Sequence, residues 1–255
     1  LLYYSDRLME FPLGLFGIAL ATVTLPYLSR QHATESHDEF AATLDWSMRL
    51  VSLIAVPAAV ALIVLAEPLV ATIFYGGEFT SQDVKLTALA LQAFAIGLVG
   101  FSFVKILAPA YFSREDTRTQ VRVGLIALAV NFGLSVSLAV YLTSIGFAGS
   151  HAGLALAISV AALLNAWLLY RGLRRDGVVR HSSGWLALSL RIVAANIAMC
   201  TALWWLHAPT TWWLQASIGE RVYWLSVTVI VGAAAYFLAL LLFGMRPGQF
   251  RMGAR

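Results

Sequence analysis

Seven apolar stretches, each about long enough to cross a lipid bilayer, dominate this 255-residue chain. They cover roughly 1–28, 46–66, 84–110, 121–142, 149–170, 185–206 and 221–244. A hydrocarbon core ~30 Å thick requires about 20 apolar residues in helical form. Lipid offers no partner to an unpaired backbone group, so a spanning segment must be a helix or part of a closed barrel. A barrel would show ~10-residue segments of alternating polarity, which are absent here, although Asp6, Arg7 and Glu10 interrupt the first stretch. The expected fold is all-α: a polytopic transmembrane bundle of about seven helices.

Charge supports this reading. Only 12% of residues are charged, about half the share in a soluble domain, too few to make a polar skin. The formal net charge is +4, and Arg supplies 15 of the 17 basic residues. They cluster in alternate loops: Arg30 and Arg49; Arg114, Arg118 and Arg122; Arg171, Arg174, Arg175 and Arg180; then Arg246, Arg251 and Arg255. The intervening loops have only Lys85 and Arg221 nearby. By the positive-inside rule the Arg-rich side is cytoplasmic, so the chain starts outside and its C-terminus ends inside. This loop pattern is one of membrane topology, and no nucleic-acid partner is expected. Cys200 stands alone in an apolar run, which excludes a disulfide framework and a thiolate metal site. The chain opens on Leu1-Leu2-Tyr3-Tyr4, already apolar, which suggests one part of a longer protein.

Other features fit the same plan. Pro12, Pro57 and Pro109 fall in or near apolar runs, where they can kink helices. Trp204, Trp205, Trp212, Trp213 and Trp224 surround the loop 207–220, as an interfacial aromatic belt would. The segment 67–83, broken by Gly76-Gly77, is expected to lie along the outer interface.

The first stretch carries the strongest functional signal. At ~100° per residue, Tyr3, Asp6, Arg7, Glu10, Gly14, Gly17, Ala21 and Thr24 share about a third of the helix circumference. Charges at membrane depth face a bundle interior or a wet cavity. Asp6, Arg7 and Glu10 could instead neutralise one another as a structural ion cluster. In the functional reading Arg7 is a phosphate ligand through its fork of donors, with Asp6 and Glu10 holding it or exchanging protons or cations. Lys105, in the third stretch, either snorkels to the cytoplasmic interface or serves the cavity. Asn131, Ser135, Ser159 and Asn165 are polar residues of the fourth and fifth stretches. Such residues commonly hydrogen-bond between helices; Asn131 is also a weak candidate for a cation site. No HExxH, CxxC, Walker or GxSxG pattern appears, so no catalytic residues are assigned and no enzyme is expected.

The stretch Tyr4-Ser5-Asp6-Arg7-Leu8-Met9-Glu10-Phe11-Pro12 resembles the MurJ (MviN) lipid II flippases. So do Leu25-Pro26-Tyr27-Leu28-Ser29, Phe74-Tyr75-Gly76-Gly77-Glu78-Phe79-Thr80, the run from Lys105-Ile106-Leu107-Ala108-Pro109 to Thr119, and His151-Ala152-Gly153-Leu154. The family has fourteen transmembrane helices and belongs to the multidrug/oligosaccharidyl-lipid/polysaccharide exporter superfamily. The resemblance implies that this chain is helices eight to fourteen. It implies a five-helix part of the C-terminal lobe at 1–172, two additional helices forming a lipid-tail groove at 185–245, and a cytoplasmic tail at 246–255. It implies transfer of a polyprenyl-diphosphate-linked glycopeptide across the bacterial inner membrane by alternating access, with the first half of the protein and membrane lipids as partners. Arg7 corresponds to the cavity arginine of the family's Asp-Arg-Leu-Met-Glu motif. Some members bind sodium partly through polar residues of the fourth and fifth helices here; Asn131 matches, but the acid that accompanies it in those members is not evident. No cofactor is expected, and coupling to membrane potential, protons or sodium stays open. Three rivals remain: an exporter of another polyprenyl-linked glycan or drug, a seven-helix receptor, and a membrane-embedded transferase.

Overall fold

A computed structural model describes residues 1–10, 13–14, 37–179 and 184–245. The start of the first helix, α1, covers 2–10. It is followed by α2 (His37–Val64), α3 (Ala66–Phe74), α4 (Ser81–Phe112), α5 (Thr117–Ser144), α6 (Ser150–Arg175), α7 (Trp185–Trp205), α8 (Thr210–Gln215) and α9 (Ile218–Leu242). Among the described residues, six helices are long and apolar enough to cross a membrane: α2, α4, α5, α6, α7 and α9. They correspond to the second through seventh stretches of the sequence. Most of the first expected span, with Pro12, Gly17, Ala21 and Thr24, lies outside the described residues, as do Arg30, Arg180 and the tail arginines.

Local chemistry sets the helix ends. Thr80 and Asp83 form a capping box at the start of α4, each side chain bonding the other's backbone N–H. Ser217 and Glu220 do the same for α9. Each box satisfies two backbone donors that a helix start would otherwise leave unpaired. Asp116 caps α5 by accepting from the Thr119 N–H at 3.1 Å. α2 starts at His37, ahead of the apolar boundary at 46. Asp38 and Glu39 occupy its first turn, where the helix dipole favours negative charge. The segment 67–83 does not span: α3 is nine residues long, and a turn with Gly77 at φ +58° leads into α4.

α4 is the central helix. Just over half of its most apolar window is buried (56%), against 11% for α5. Close approach of α4 to α6 depends on two glycines. A Cβ on Gly97 would meet Ser159 Cα at 2.7 Å, and one on Gly100 would meet the Ala162 carbonyl carbon and Leu163 nitrogen at 2.7 Å. Small residues spaced this way let helix backbones touch in lipid, where no hydrophobic effect drives them together. Ser159 Oγ then donates to Ala93 O at 2.7 Å, the interhelical role the sequence suggested for it. Tyr111, fully buried, donates to Leu169 O at 2.9 Å on the same pair.

Apolar packing is divided by depth and side. Phe40, Leu44, Met48, Tyr111, Leu169 and Leu173 form a core of α2, α4 and α6. Met9, Val70, Leu91, Phe94 and Trp213 pack where α1, α3, α4 and α8 meet. Leu53, Ile192, Met199, Leu203, Tyr236 and Leu240 bind α7 and α9 to each other and to α2. The tryptophan belt needs one correction. Trp204 and Trp205 are exposed, but Trp213 is buried, because α8 turns it inward onto the α3–α4 core.

Candidate functional site on the first helix

The charged face of α1 folds as its spacing dictates. Ser5 and Met9, four residues apart, are buried against the bundle. Ser5 Oγ donates to Thr87 O of α4 at 2.9 Å, which fixes the rotation of α1. Tyr3, Arg7 and Glu10 therefore point away from the packed side. The Arg7 and Glu10 side chains are 60% and 53% exposed, so their charges are not absorbed by this chain's own core.

Arg7 is held on two sides. Its Nη1 pairs with Glu10 Oε2 at 3.0 Å. Its Nε donates to the Tyr3 hydroxyl at 3.2 Å, and its guanidinium lies 5.1 Å from the Tyr3 ring centroid. Both partners are one helical turn away, the separation at which side chains on a helix meet. Glu10 is thus the acid on Arg7. Asp6 is half-buried and forms no ion pair among the described residues. The sequence grouped the three charges as a set; the helix rotation divides them. Tyr3 lay on the predicted face, yet its role as a donor-orienting partner needed side-chain positions. Nη2 donates to no side chain among the described residues and is left to meet an anionic oxygen.

Lys105 is turned toward the same helix. Its Nζ donates to Leu13 O at 3.2 Å. Leu13 is six residues past Arg7 in the sequence. The side chain thus reaches from α4 to the helical pair 13–14 and is not simply extended toward an interface. Gly14, the next residue, has open space where a Cβ would sit.

The polar residues of α5 and α6 do not converge in the same way. Asn131 Oδ1 accepts from Ser135 Oγ at 3.4 Å, within one helix. Among the described residues no group of three His, Cys, Asp or Glu side chains could hold a metal ion.

Two further polar sites are tied to distant parts of the chain. Arg221 is not a loop cation but a buried residue, 8% exposed. At the opposite end of the bundle, Asp45 pairs with Arg49 at 2.8 Å and accepts from Trp185 Nε1 at 2.7 Å. Arg49 also lies over the Trp185 ring at 5.4 Å. The i,i+4 spacing of Asp45 and Arg49 was a visible signal; the tie to α7 was not.

Comparison with known proteins gives a consistent result. A family model described as lipid II flippase MurJ matches residues 1–217. The probable lipid II flippase MurJ of Vibrio cholerae is 43% identical over 245 residues, covering 96% of this chain and 45% of the relative. The lipid II flippase MurJ of Burkholderia cenocepacia is 38% identical over 253 residues, covering 99% and 48%. A solved structure of a lipid II flippase MurJ in an inward closed conformation aligns with a TM-score of 0.74 at 21% identity. It covers 95% of this chain and 46% of that one. The chain spans about half the length of the relatives it matches.

Proposed function

The chain belongs to the lipid II flippase MurJ family, and from that premise we propose that it is the second half of a transporter moving lipid II between the leaflets of a bacterial inner membrane by alternating access. The exposed Arg7–Glu10–Tyr3 cluster on α1 carries the reading. Uncovered charge at membrane depth is costly, and an anionic cargo in a wet cavity is what offsets it. Arg7 engages the diphosphate. Glu10 and Tyr3 orient the guanidinium, and Asp6 adds negative charge nearby. Lys105 sets the position of α1 through Leu13 and contributes positive charge to the same cavity.

Residues 1–172 supply five helices of one lobe, and 185–245 supply the pair whose exposed apolar faces take the polyprenyl tail. Residues 246–255 form a cytoplasmic tail, on the side of the Arg-rich loops. The protein performs transport without covalent chemistry and needs no resident cofactor. Coupling draws on the membrane potential, protons or sodium, with Asn131 as the sodium candidate. The other cavity wall belongs to the first half of the protein. A seven-helix receptor loses its support, because the relatives are about twice as long as this chain.

The test is growth complementation by the full-length protein. Arg7→Ala should abolish complementation while the protein still reaches the membrane. Arg7→Lys should retain part of it, since the charge survives but the fork does not. Normal growth with Arg7→Ala would remove the assignment.

A further inference from the structure

Arg221 is a buried cation whose partners are all carbonyl oxygens. Its Nη1 donates to Ala71 O and Tyr75 O, both at 3.2 Å, and its Nη2 to Leu214 O at 3.2 Å. Its guanidinium lies 4.9 Å from the Tyr75 ring centroid. None of the ion pairs among the described residues includes it.

Those acceptors are not arbitrary. Ala71 and Leu214 lie in the last turns of α3 and α8, and Tyr75 is the residue that ends α3. The last four carbonyls of a helix have no intrahelical donor and carry the negative end of its dipole. Burying a guanidinium without a counter-ion is costly; helix-end carbonyls and an aromatic face offset that cost here. The guanidinium spreads these bonds over two nitrogens held in one rigid plane, a spacing that the single ammonium nitrogen of lysine on its flexible stem does not reproduce.

We propose that Arg221 is a positioning residue, a clasp that seats the start of α9 on the ends of α3 and α8 and so fixes the outer end of the α7–α9 pair to the lobe. Two further contacts continue the attachment. Tyr236 of α9 bonds Leu53 O of α2, and Trp185 of α7 bonds Asp45 of α2. Resting on the function proposed above, the clasp would hold the outer mouth of the tail-binding groove in place while the cavity opens and closes.

The experiment measures dipolar coupling between nitroxides at two exposed positions, Ile73→Cys on α3 and Val222→Cys on α9, in full-length protein otherwise free of cysteine. The parent should give one strongly coupled population in detergent and in liposomes. Arg221→Ala should lower that coupling at least twofold, and Arg221→Lys should fall between. Unchanged coupling in Arg221→Ala, or weak coupling in the parent, would overturn the clasp. If Arg221→Ala is not recovered from membranes, Arg221→Lys decides: reduced coupling supports the proposal and parental coupling defeats it. The measurement involves no transport, so an error about the cargo would leave its outcome intact.

Discussion

The Tyr236 hydroxyl donates to the carbonyl oxygen of Leu53 at 2.8 Å, and Leu53 stands four residues before Pro57. Proline has no N–H to offer the carbonyl one turn back. α2 nevertheless continues through Pro57 to Val64. A residue of α9 thus supplies the donor that α2 lacks, so the proline is a docking point as well as a break in the helix ladder.

This relationship makes a double-mutant prediction. Tyr236→Phe should destabilise the full-length protein by about 1–3 kcal/mol, the cost of leaving a buried acceptor unpaired. With Pro57→Ala present, the backbone N–H returns to Leu53 O and the Tyr236→Phe penalty should shrink by about 1 kcal/mol. Unfolding in mixed micelles for the four proteins of the cycle measures the coupling; strict additivity would contradict the pairing.

The α4–α6 contact makes a packing prediction. Gly100→Ala puts a methyl group against the Ala162 and Leu163 backbone, which cannot move like a side-chain tip. A loss of about 1–3 kcal/mol is expected for such overpacking. Gly124→Ala and Gly133→Ala on α5 meet nothing within 4 Å and should be neutral or slightly stabilising, because alanine favours helix. Melting temperatures of the three variants should separate accordingly.

Lys105 can be tested for contact against simple snorkelling. Lys105→Met keeps the aliphatic stem and removes the bond to Leu13 O. Loss of that charged hydrogen bond should cost about 1–3 kcal/mol and raise cross-linking or protease sensitivity near Gly14. A variant with parental stability and parental sensitivity would show that the ammonium merely extends toward an interface.

Asp116 gives a pH-dependent outcome. The Thr119 hydroxyl and then the Thr119 N–H hold its carboxyl below the ordinary 3.8. A carboxylate whose folded value is depressed contributes stability above its unfolded value and loses it as pH falls through the folded one. Asp116→Ala should cost about 1 kcal/mol at neutral pH, as cap removal does. The difference in melting temperature between Asp116→Ala and the parent should narrow below pH 4; a constant difference down to pH 3 would argue against the charged cap.

The apolar runs already specified the six spanning-length helices among the described residues, because lipid leaves the backbone no alternative and side-chain hydropathy alone reveals it. The charged face of α1 was equally visible, since helical periodicity is a property of spacing. What spacing could not supply was rotation against neighbours. Ser5 bonding Thr87 O turns Arg7 and Glu10 outward and leaves Asp6 half-buried. The burial of Trp213 and Arg221 was less visible still. Trp213 resembles its interfacial neighbours in sequence, and Arg221 resembles any arginine near a loop. Burial of both depends on where α3 and α8 end in space. Helix-end carbonyls are invisible in a sequence, as is the unpaired Leu53 carbonyl that Tyr236 meets. Local chemistry and periodicity therefore determined which segments cross the membrane and which face carries charge. Tertiary structure decided which polar groups meet, because those partners are backbone atoms brought together from distant parts of the chain.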